Sequence, residues 1–105
     1  MNHFTIEHTQ LPLDVLNRIT NMITGILAEA GIWASHCNPG GLVSYDTRFW
    51  SFTIQKPETP LISQVASQIE GAFVGDIRLE SIQRFHGDLL CTLSVKVKDA
   101  AEALL

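Results

Sequence analysis

The stretch DVLNRITNMITGILAEAG, residues 14–31, constrains this chain more than any other. Val15, Leu16, Ile19, Met22, Ile23, Ile26, Leu27 and Ala30 recur with a period near 3.6, which sets them along one stripe of an α-helix. Asp14 stands where a carboxylate can cap the unpaired N–H groups of a first turn, and Gly31 supplies the stop. A helix with a single apolar stripe has to lay that stripe on a matching surface, so the question is what the rest of the chain offers.

It offers a second helix and several half-apolar strands. Leu61, Ile62, Val65, Ile69 and Phe73 form another stripe that ends near Gly75, with Ser63, Gln64, Ser67, Gln68 and Glu70 on the polar side. RFWSFTIQ alternates Trp50, Phe52 and Ile54 against Ser51, Thr53 and Gln55. LLCTLSVKV puts Leu89, Cys91, Leu93, Val95 and Val97 on one face, and DIRLESIQ reads as the strand before it, with RFHGD as the turn between. IWASHC reads as a strand leading into a turn at NPGG, with a small extra strand at LVSY; HFTIEH, with Phe4 and Ile6 alternating, reads as a strand at the start. KDAAEALL begins a last helix.

The order is therefore β-α-β-β-α-β with an added C-terminal strand. Helices with one apolar stripe and strands with one apolar face fit two layers: an α+β, ferredoxin-like sandwich, mostly antiparallel, with both helices on one face of the sheet. A second arrangement drops the first strand and pairs two α-β-β halves, since ITNMITGIL and VASQIEGAF echo each other before strand pairs. At 105 residues, 46% apolar and 17% charged, with no linker or low-complexity run, residues 1–105 make a single domain.

Charge and cysteine usage narrow the function. The net charge is -4 and the basic residues Arg18, Arg48, Lys56, Arg78, Arg84, Lys96 and Lys98 are scattered, which disfavours nucleic acid. No stretch approaches the apolar length of a membrane span, and the start lacks a basic n-region and an apolar h-region. Cys37 and Cys91 have no C-x-x-C spacing and agree with a reducing compartment, so a cytoplasmic protein is expected; whether the two can pair stays open.

Residues 31–50 hold the chemically tempting side chains. If WASHC is extended, His36 and Cys37 point to opposite faces and do not converge on a metal, and no other histidine has ligand spacing to them. The carboxylates form no obvious pair, and NPGG lacks the Lys-Ser or Lys-Thr and the helix of a phosphate loop. No catalytic residue, metal ligand or cofactor is assigned, and the chain does not read as an enzyme. The aromatics are a better signal, because interface anchors are enriched in Trp and Tyr. Trp50 alternates with core positions, which leaves Trp33 and Tyr45, with His36 and Asp46 beside them, as protein-interaction candidates on a presenting hairpin.

DVLNRITNMITGILAEAGI, TRFWSFTIQ and LISQVASQIEGAFVGDIRLESI together resemble the ACT domain, a small regulatory module, and most of all its version in acetolactate synthase regulatory subunits. LCTLSVKVKDAAEAL is similar to the strand and helix start that come after the domain in those subunits. The resemblance implies a regulatory domain that pairs with itself and modulates a protein partner, with an effector site at Asp14, Gly31, Ile32 and Trp33, where the first turn meets the helix end across a dimer interface. This chain departs from the pattern at that site. Pro12-Leu13-Asp14 replaces the family's Pro-Gly, and Trp33 replaces an Asn, so a carboxylate effector meets a side chain and a like charge and is expected to bind weakly or not at all. Beside the regulatory reading stand two others: a small acidic inhibitor of a mobile element, which blocks a host complex, and a small-ligand sensor. A homodimer formed through a sheet edge or helix face is expected in the first case.

Overall fold

The structure, a computed structural model, describes residues 11–57 and 61–97. The strand expected around Phe4 and Ile6 and the helix expected after Val97 lie outside the described residues. Within them the order is α1 (Leu13–Glu29), β1 (Ala34–Leu42), β2 (Thr47–Ile54), α2 (Ile62–Ala72), β3 (Ile77–Phe85) and β4 (Asp88–Lys96).

The strands form one four-stranded sheet in the order β1-β2-β4-β3, every neighbouring pair antiparallel. β2 and β3 therefore run parallel with β4 between them, and α2 makes the crossover that parallel strands require. α1 packs over β1 and α2 over β3. This is the expected ferredoxin-like two-layer sandwich, and the added C-terminal strand sits at its centre rather than at an edge. The same arrangement contains the two α-β-β halves, whose inner strands β2 and β4 meet along their full length.

That central pairing explains the core. Trp50 faces Leu93, Phe52 faces Cys91 and Ile54 faces Leu89, so the alternating apolar residues of both strands share the helix side. Against them α1 lays Leu16, Ile19, Ile23 and Leu27, and α2 lays Val65 and Ile69, all buried. No polar or charged side chain is fully buried among the described residues. The half-buried Thr20 bridges the layers: Trp50 Nε1–H donates to its Oγ1 at 2.9 Å, and the Thr20 hydroxyl donates to the Leu16 carbonyl at 3.0 Å.

Three local readings are corrected. Asp14 does not cap α1. It lies inside the first turn, Pro12 holds the N-cap position without a side-chain bond, and the contribution of Asp14 is to complement the positive end of the helix. NPGG is not a turn: Asn38, Pro39, Gly40 and Gly41 run within β1, and LVSY adds no separate strand. Among the described residues β1 is an edge strand, where a missing N–H is tolerated, and register shifts between Ser35 and Asn38 and between Pro39 and Leu42 absorb the irregular residues. The reversal comes later, at Val43–Asp46, where Val43 N–H donates to the Thr47 carbonyl at 2.9 Å. The turn at His86-Gly87 is as expected, with φ of 50° and 85°, the two left-handed residues of a two-residue hairpin loop.

Candidate functional site

A broad concavity lies at the end of the sheet where α1 stops. There the chain makes a three-residue step. Gly31 takes φ 83° and its N–H bonds the Ala28 carbonyl at 3.0 Å, while Ile32 N–H bonds the Leu27 carbonyl at 2.8 Å. These are the paired bonds of a Schellman stop, and the accompanying contact is supplied by Ile32, which is buried with Leu27. With Ile32 anchored inward, the next side chain emerges outward: Trp33 is 78% exposed.

Two other segments close the cleft. Gln55, Lys56 and Pro57 follow β2; Lys56 holds φ 43°, and its backbone N–H donates to Asp88 Oδ1 at 3.0 Å, which pins that turn to the start of β4. From α2 come Gln64 and Gln68, four residues apart and so on the same helical face, beside the buried Val65. The cleft is open to solvent and has a volume of about 820 Å³, with Ile32, Ile54 and Val65 as an apolar floor and Trp33, Lys56 and three glutamines at the rim. Lys56 is the one ionisable side chain among the described lining residues.

Gly31, Ile32 and Trp33 are thus brought together, whereas Asp14 is not. It sits at the opposite end of α1, about 25 Å away at 1.5 Å per residue, so one chain by itself does not assemble the expected effector site. The four interaction candidates also separate. Tyr45 is 67% exposed, but it lies beyond the far end of β1, roughly 30 Å from Trp33. Asp46 serves the turn: its Oδ1 accepts from Ser44 Oγ at 2.8 Å and Thr47 Oγ1 at 3.0 Å, and these hydroxyls hold its carboxyl below the ordinary range. His36 occupies the bulge of β1 with φ 54°, exposed on the helix-free face of the sheet and away from the cleft. Gln55, Lys56, Gln64 and Gln68 were not singled out by sequence. The glutamines of α2 were visible only as part of a polar helix face.

The cysteines are free and lie on the core side. β2 separates their strands, so they stand about two strand spacings apart, near 9.6 Å, beyond the roughly 7 Å that a disulfide spans. Burial pushes the Cys37 thiol up to about 11 and the Cys91 thiol up to about 12, which keeps both protonated and poorly nucleophilic near neutrality. Among the described residues no three His, Cys, Asp or Glu side chains gather as a metal site, and no helix is long and apolar enough to cross a membrane. No family model, curated protein or solved structure matches this chain.

Proposed function

We propose that this is a non-catalytic interaction domain whose cleft receives an extended segment of a partner protein. The observation that carries the reading is Trp33, an exposed indole held in a fixed place on the rim of a cleft by the buried residue before it. Exposed large aromatics on rigid supports are the usual anchors of protein interfaces. The rest of the rim suits a peptide: side-chain amides donate and accept, as a peptide backbone does, so Gln55 and Gln68 can pair with a main chain in either sense. Lys56 adds a preference for a segment that carries a carboxylate. The desolvated thiols support a binding role over nucleophilic chemistry. The resemblance to regulatory ACT domains adds that the partner's activity responds to this contact.

The test compares the wild-type chain with Trp33→Ala. Both are used to capture proteins from an extract of the source organism, and each captured protein is then titrated against both chains. The wild type is expected to retain a defined partner whose affinity falls at least 30-fold in the variant, about 2 kcal/mol. Because Trp33 is exposed, the variant should melt at the wild-type temperature. Equal affinity of every captured protein for the two chains would overturn the reading.

A further inference from the structure

Lys56 carries the only charge that the described cleft residues offer, and its backbone is strained. Its φ of 43° falls in the left-handed region, which a residue with a Cβ seldom enters and which persists only where the surroundings hold it. Glycine fits such a φ without strain, so the turn by itself has no need of a lysine. What lysine adds at that place is a cation.

The end of the sheet shows what holds it. Ile54 pairs with Leu89, and the same register carried on would set Lys56 opposite Gly87. Gly87 has already turned away, with φ 85°, in the hairpin loop between β3 and β4. The carboxylate of Asp88, the first residue of β4, stands in for the main chain there and accepts the Lys56 N–H at 3.0 Å. That bond goes to the backbone of Lys56, and among the described residues no ion pair takes up its ammonium. Asp88 thus fixes the lysine's backbone and leaves its charge open.

We propose that Asp88 is a positioning residue: by locking Lys56 in its left-handed turn it sets the ammonium at the rim, and so selects partner segments that carry an acidic side chain at a short, fixed offset from the residue lying on Trp33. The inference rests on the reading of the cleft as a peptide site and adds what decides its specificity. The offset follows from the sheet. Ala34 pairs with Ile54, so Trp33 comes beside Gln55, one strand spacing of about 4.8 Å away, with Lys56 one residue further on. An extended segment advances roughly 3.3 Å per residue, so its anchor and its carboxylate are expected within about three residues of each other.

The sign of the effect separates this role from a simple charge effect. Asp88 is itself an anion beside the cleft, and if it acted through its charge alone, removing it would relieve repulsion and raise the preference for an acidic segment. A positioning role requires the opposite, because an unlocked Lys56 leaves the left-handed region and its ammonium spreads over many orientations.

The probe is a phage-displayed library of random ten-residue peptides, selected on the full chain; enriched peptides are then synthesised with their acidic residue and with the matching amide. The acidic peptide is expected to bind the wild type at least fivefold more tightly than the amide, about 1 kcal/mol. That ratio should fall to near one in Lys56→Gln and below twofold in Asp88→Ala, whose lost bond is an exposed one. Asp88→Asn keeps an acceptor oxygen and should retain most of the preference. The ratio is measured on folded protein, so a lower melting temperature alone does not move it. Failure to enrich any peptide whose affinity depends on Trp33 overturns the reading of the cleft and this inference with it. Trp33-dependent peptides without an acidic preference, a preference that Asp88→Ala leaves intact or raises, or one that Asp88→Asn abolishes, overturn the role of Asp88 alone.

Discussion

Trp50 shows how much one side chain can organise. Its ring fills the middle of the core at 0% exposure, yet its indole N–H cannot be left without an acceptor there. Thr20, on the flank of α1's apolar stripe, supplies that acceptor and passes its own proton to the Leu16 carbonyl, so a single donor chain fixes how α1 sits on β2. Replacing Thr20 by Val keeps the shape and removes the acceptor. The expected loss is about 1–3 kcal/mol, read as a lower urea midpoint with an unchanged slope, and Thr20→Ser should recover most of it. The left-handed residues Lys56 and His86 are likewise explained one by one: the first by the Asp88 carboxylate bound to its N–H, the second by the two-residue turn it shares with Gly87.

Elements are held in register by their ends and by their irregularities. β3 begins with Ile77 and Leu79 toward the helices, and strict alternation would then send Ile82 to the opposite face. A register shift between Leu79 and Ser81 re-phases the strand, so that Ile82 pairs with Cys91 and packs on the core. The end of α1 is equally decisive, because the Schellman stop at Gly31 determines that Ile32 points in and Trp33 out. Gly31→Ala puts a Cβ on a residue at φ 83°, where nothing lies within 4 Å to clash, so the cost is backbone strain alone, about 1–2 kcal/mol. Gly31→Asn should cost less. Equilibrium unfolding checks the stability, and the accessibility of Trp33 to an aqueous quencher should change in the alanine variant if the helix end relaxes.

At the scale of the whole molecule, the core is one cluster to which both helices and all four strands contribute, and its two thiols link stability to pH. Each cysteine has a folded-state pKa above its unfolded value of about 8.5, since burial penalises the thiolate. The unfolded chain therefore gives up these protons first. Stability from this source is complete below about pH 8.5 and is lost as pH rises through the interval toward about 11 and 12. Urea unfolding from pH 7.5 to 10.5 should show a declining midpoint above pH 9, and Cys37→Ser should make that decline shallower. A midpoint that stays flat in the wild type, or a slope that Cys37→Ser leaves unchanged, would contradict this assignment.

Periodicity by itself determined the two helices, the core faces of β2 and β4, the His86-Gly87 turn and the two-layer class, because each of these rests on local spacing that burial must respect. Leu89, Cys91, Leu93 and Val95 could be placed on one face from their alternation alone. The sequence also contained the Gly31 stop and an exposed Trp33. Only the tertiary structure decided that Asn38, Pro39, Gly40 and Gly41 run through a strand: an edge position forgives a proline that a central one would not, and edge position is a property of the whole sheet. Only packing brought Gln64 and Gln68 of α2 opposite Trp33 and Lys56, residues far apart in the chain. The same packing separated Asp14 and Tyr45 from Trp33, because a straight helix and an extended strand hold their two ends apart by their full lengths.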